Sequence, residues 1–64
     1  MMPGNELRKL RENLGLSVLQ VVEMTKLSRP TVYAIENGQS LDKNHLYLEF
    51  FYEHYRYEKM LGGK

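Results

Sequence analysis

The sequence predicts an all-α fold: a compact four-helix domain. Three observations predict it. Apolar residues recur at the three- and four-residue steps of a helical face from Leu7 to Ile35. Capping residues stand ahead of three of these runs, at Asn5, Ser17 and Ser28, and glycines close two of them, at Gly15 and Gly38. Residues 43–61 then run on without a Gly or Pro. With 64 residues in all, the chain reads as one domain over 1–64 that buries only about 60% of its unfolded surface.

Helix 1 is predicted at residues 5–14. Leu7, Leu10 and Leu14 share one face, Asn5 is the expected N-cap, and Gly15 suits a left-handed residue just past the end. The start, Met1–Gly4, and the end, Gly62–Lys64, read as loose. Helix 2 is predicted at 18–25. Ser17 and Gln20 have capping-box spacing, so the hydroxyl and the amide each satisfy one orphan N–H. Val18, Val21, Val22 and Thr25 form its stripe; three valines lower helix propensity, so packing must hold the segment.

Helix 3 is predicted at 29–37. Ser28 caps it, which puts Arg29 at the first helical position and Pro30 at the second. Neither first-turn N–H has an intrahelical acceptor, so the proline marks a start and breaks nothing. Val32 and Ile35 face inward, and Leu27 joins them. Helix 4 is predicted at 43–61, capped by Asp42 or Ser40. Residues 44–61 hold six of the seven Phe and Tyr residues. On a helical wheel Leu46, Phe50, Tyr57 and Leu61 share an arc assigned to packing on helices 1–3, with Tyr47, Phe51 and His54 at its margin. Leu48, Tyr52 and Tyr55 point elsewhere, and this second apolar arc is assigned to the centre of a two-fold homodimer interface.

Composition excludes several functions. The chain has no cysteine, hence no thiol nucleophile, disulfide or thiolate metal site. No apolar run approaches the roughly 18–20 residues that span a bilayer, and the start lacks a signal peptide's basic and apolar regions. A soluble cytoplasmic protein is the expectation. There is no Gly-rich phosphate loop and no metal-ligand spacing. His45 and His54 lie nine residues apart on different faces of helix 4. No enzyme, cofactor or metal is therefore expected. The net charge is only +1, but six of the nine basic residues precede position 44.

Two short helices joined by Lys26-Leu27-Ser28 form a helix-turn-helix. The stretch from Leu7 to Gly38 resembles the phage lambda-repressor and Cro-like (XRE-type) helix-turn-helix DNA-binding family. The matching elements are Arg11 ahead of Leu14-Gly15-Leu16, the cap Ser17, Ser28 opening helix 3, Val32, Ile35, and Glu36-Asn37-Gly38. The chain departs from that pattern where Val18 stands for a usual glutamine, Val22 for a small residue and Lys26 for a glycine.

The resemblance implies that Arg11 and Glu36 pair as a structural ion pair. It implies that helix 3 enters the major groove, with Arg29, Pro30, Thr31, Tyr33 and Ala34 at the base-contacting positions. It assigns phosphate contacts to Ser17, Asn37, Gly38 and Gln39; Lys26 and Lys43 add charge. The function it implies is a sequence-specific transcriptional regulator, acting as a repressor and a homodimer on double-stranded DNA. The competing reading is a protein-interaction module on the same scaffold, antirepressor or antitoxin-like, with helix 4 gripping a protein partner. Val18, Pro30 and Ala34, all poor at hydrogen bonding, keep that alternative open.

Overall fold

The computed structural model describes residues 2–39 and 43–62. Four helices follow in order: α1 (Gly4–Asn13), α2 (Val18–Thr25), α3 (Arg29–Glu36) and α4 (Lys43–Gly62). Among the described residues there is no strand. The proposed caps Asp42 and Ser40 of α4 lie outside the described residues.

Local signals set most of the boundaries. The Ser17 hydroxyl accepts from the Gln20 N–H at 3.1 Å, and the Gln20 side chain accepts from the Ser17 N–H at 2.9 Å, closing both halves of the capping box. Gly15 adopts φ 76°. Its N–H and that of Leu16 bond back to the carbonyls of Glu12 and Arg11, which satisfies the end of α1. The same closure ends α3. Gly38 has φ 78°, and the N–H groups of Gly38 and Gln39 reach the carbonyls of Ile35 and Ala34. Asn37 is the C-cap of α3, not its last helical residue.

The start of the chain differs from the expectation. α1 begins at Gly4 with Pro3 as its N-cap, and Asn5 lies inside the helix. Residues 2–4 are anchored. The Met2 N–H donates to Glu49 Oε1 at 2.8 Å, and the Met2 carbonyl lies 2.7 Å from Nε2 of buried His45. Gly4 is buried against the end of α3: a Cβ there would fall on the Ile35 carbonyl and stand 2.9 Å from the Gly38 nitrogen. The missing side chain is what lets the two helix ends touch.

The core consists of Leu7, Leu14, Leu16, Val21, Val32, Ile35, Leu48 and Tyr52. This corrects the rotation assigned to α4. Leu48 and Tyr52 are both 0% exposed, and Tyr55 is half-buried against the core, so these residues are not a free dimer surface. The arc expected to pack inward faces solvent instead, with Phe50 61% and Tyr57 56% exposed and Leu46 and Leu61 also outside. The physical reason is a polar group that an apolar wheel ignores. With Tyr52 inward, its hydroxyl reaches a carboxylate buried on α3 and the ring still fills the core. Phe51 stacks at a tilt on Tyr52 and Tyr55, with centroids 5.8 and 6.1 Å away.

Candidate nucleic-acid interface

A buried polar triad fixes α3 relative to its neighbours. Arg11 on α1 and Glu36 on α3 form an ion pair at 2.9 Å, with the Glu36 side chain 2% exposed. The guanidinium does not grip the carboxylate with two parallel bonds. Its Nε–H is shared between both oxygens, at 2.9 and 3.2 Å, while Nη1 donates to the Leu16 carbonyl at 3.0 Å. Tyr52 on α4 completes the site with a 2.7 Å bond to Glu36 Oε2. One carboxylate thus ties three helices together, and Arg11 adds the α1–α2 loop. Among the described residues no buried side-chain N or O lacks a partner.

The charges follow from this geometry. Burial works to lower the Arg11 pKa, but the hydrogen bond and charge of Glu36 outweigh it and raise it. Burial, followed by the hydrogen bond to Glu36 and its charge, pushes the Tyr52 hydroxyl far above the ordinary tyrosine range. Arg11 therefore stays charged and Tyr52 stays a donor, so the clamp on α3 holds across physiological pH.

The held helix presents an outward face. Arg29, Pro30 and Tyr33 are exposed there and Ala34 is partly so; Asn37 continues the same face at the helix end. Thr31 sits apart, half-buried, its hydroxyl 2.7 Å from Ser28 Oγ. Ser28 also accepts from the Thr31 N–H at 3.3 Å, which caps α3. Lys26 takes φ 67° in the turn between α2 and α3, the left-handed conformation that glycine adopts more cheaply.

The residues assigned to phosphate contacts are exposed at Ser17, Lys26, Asn37, Gly38, Gln39 and Lys43. Not all have groups to give. The backbone N–H groups of Asn37, Gly38 and Gln39 bond to carbonyls of α3. Gly38 has no side chain either, so its role is the left-handed turn, and only the Asn37 and Gln39 side chains extend outward. The N–H of Ser17 is likewise engaged by Gln20. Two cations absent from the sequence-based assignment lie alongside: Arg8 and Lys9 line a groove with Asn37 and Gly38 between the start of α1 and the end of α3. The packing of α1 on α3, closest at Gly4, brings them there, and sequence spacing carries no signal for it.

A family model described as a helix-turn-helix domain matches residues 4–59. The chain belongs to that helix-turn-helix family. The match agrees with a lambda-repressor and Cro-like, XRE-type assignment. No curated protein and no solved structure matches the chain significantly. The four-helix arrangement, with α2 and α3 as the helix-turn-helix pair, is that of an all-α domain of this family, and the family assignment points to DNA binding in regulation. No helix of the described residues is long and apolar enough to cross a membrane. Among those residues no group of three His, Cys, Asp or Glu is placed to hold a metal ion.

Proposed function

We propose that this helix-turn-helix protein is a sequence-specific transcriptional regulator of double-stranded DNA, a repressor that occludes its site as a cytoplasmic homodimer. The observation that carries the reading is the exposed face of α3, held rigid from behind by the Arg11–Glu36–Tyr52 triad. In the major groove, Arg29 at the first turn suits a guanine, whose O6 and N7 accept a bidentate guanidinium. Pro30 and Ala34 offer only apolar surface, suited to a thymine methyl. Tyr33 has a hydroxyl for a base edge or a phosphate, whereas that of Thr31 reaches one only by giving up or sharing its bond to Ser28.

Phosphates meet the start of α2 beyond Ser17, where first-turn N–H groups have no intrahelical acceptor. The Asn37 and Gln39 side chains take others. Lys26 and Lys43, with Arg8 and Lys9, supply the counter-charge that a net charge of +1 hides. A single base-reading arginine gives modest affinity per protomer, so specificity comes from two copies on half-sites about one DNA turn apart. Selection from a random duplex pool, with the complexes sized afterwards, tests this. A palindromic site carrying two protomers is expected. Failure to enrich any sequence at low salt contradicts it and favours the protein-interaction reading.

A further inference from the structure

Thr25, the last residue of α2, is a polar hub. It is buried, and its hydroxyl donates to the Val21 carbonyl at 2.7 Å and accepts from the Leu27 N–H at 3.2 Å. These bonds bridge Lys26, whose left-handed backbone carries the chain from α2 into the turn. The Thr25 carbonyl is one of the four at a helix end that no N–H of the helix reaches. It accepts from the Tyr47 hydroxyl of α4 at 3.3 Å. Among the described residues no other side-chain hydrogen bond or ion pair joins α2 to another helix.

We infer that Tyr47 is a positioning residue for base reading: its hydroxyl pins the α2–α3 turn from which Arg29 projects. This deepens the regulator reading above and rests on it. The helix-turn-helix pair has two other polar pins, and both lie away from the turn. Arg11 Nη1 holds the Leu16 carbonyl just ahead of α2, at 3.0 Å. Arg11 Nε and the Tyr52 hydroxyl hold Glu36, the last helical residue of α3. Tyr47 supplies the third point, at the corner between the two helices.

Without that third point the turn is held by apolar packing alone. Val21 and Val32 are buried, and Val18, Val22 and Leu27 are half-buried against the core. Apolar burial has no preferred direction, so it resists a small tilt less well than a directed bond does. Distance turns a small tilt into a large error. Arg29 lies seven residues from the pin at Glu36, about 10 Å at 1.5 Å per residue. A tilt of roughly 5° then moves it by about 1 Å, enough to break a hydrogen bond of ordinary length to a base edge. The strained Lys26 adds to the need, because the turn it occupies relaxes if released.

Tyr47→Phe keeps the ring and removes only the donor. Amide hydrogen exchange without DNA tests the pin. Exchange at the Lys26 and Leu27 N–H groups is expected to speed up about three- to tenfold, the scale of one neutral hydrogen bond. Gly15 and Leu16, in a turn that Tyr47 does not touch, are expected to keep their rates. Titration against the duplex selected from a random pool tests the role. Tyr47→Phe is expected to bind that duplex about three- to tenfold more weakly and a scrambled duplex as the parent does. In an Arg29→Ala background the same change is expected to cost nothing more, because the two act through one contact. Unchanged exchange in the turn, or an equal rise at Leu16, overturns the pin. Equal losses on both duplexes, or losses that add to those of Arg29→Ala, overturn the positioning role and leave the regulator reading standing. A parent that binds no duplex ends that reading and this role together.

Discussion

The Tyr52 hydroxyl donates a 2.7 Å hydrogen bond to Oε2 of Glu36, the oxygen that also accepts from Arg11 Nε. Helix α4 is thereby keyed to α3, the helix proposed to enter the major groove. Tyr52→Phe keeps the ring in the core and removes only this bond to a charged group. It should cost about 1.5–3 kcal/mol in a urea melt at pH 7. The pH dependence has a definite sign. The Tyr52 pKa is raised in the folded chain by burial and by Glu36, whereas in the unfolded chain it titrates near 10. Its contribution is full below about pH 10 and falls as pH rises beyond it, by up to roughly 1.4 kcal/mol per pH unit. Melts from pH 7 to 11 should therefore converge for the parent and Tyr52→Phe. Parallel curves would mean that the hydroxyl ionises normally.

Removing one member of the buried triad strands the others. Arg11→Ala leaves the Glu36 carboxylate buried with only Tyr52 for a partner, and should cost about 3–5 kcal/mol. That is comparable with the whole stability of so small a domain. Replacing all three together, as Arg11→Met, Glu36→Leu and Tyr52→Phe, should be better tolerated than Arg11→Ala alone. Thermal melts decide it, and an Arg11→Ala protein that melts like the parent would mean the pair contributes little.

Gly4 and Gly62 make a matched comparison. Gly4→Ala drives a methyl group into the Ile35 carbonyl at the α1–α3 contact, and nothing stands within 4 Å of the same methyl at Gly62. Gly4→Ala should lose about 1–3 kcal/mol by overpacking. Gly62→Ala should be neutral or slightly stabilising. Equal melting temperatures for the two variants would mean that the ends of α1 and α3 are not in contact.

Lys26 keeps an unfavourable backbone conformation in the turn between α2 and α3. Lys26→Gly should raise stability by about 0.5–1 kcal/mol in a urea melt, because glycine enters the left-handed region without a Cβ clash. A drop in stability would mean that the lysine side chain makes up for its strain.

Local chemistry made much of the fold legible before any coordinates. Ser17 with Gln20, Ser28 with Pro30, and Gly15 and Gly38 are short-range devices whose partners lie within a few residues. The rotation of α4 was not legible. Its two apolar arcs are similar in size, and what separates them is a bond from Tyr52 to a residue 16 positions away. The anchoring of Met2 by His45 and Glu49 spans more than forty positions and leaves no pattern in spacing. The positions on α3 follow from the family resemblance, because Arg29, Tyr33 and Asn37 share a face at helical spacing. Arg8 and Lys9 went unseen because tertiary packing of α1 on α3 sets them beside Asn37.

Titration of the parent and Arg29→Ala, each against the selected site and against a scrambled duplex at fixed salt, asks directly whether α3 reads bases. Arg29→Ala should lose about 1–3 kcal/mol on the selected site, relax the preference at one base pair, and bind the scrambled duplex nearly as the parent does. Equal losses on both duplexes would show that Arg29 holds only phosphate, and a parent that does not distinguish the duplexes would contradict sequence-specific binding by this helix.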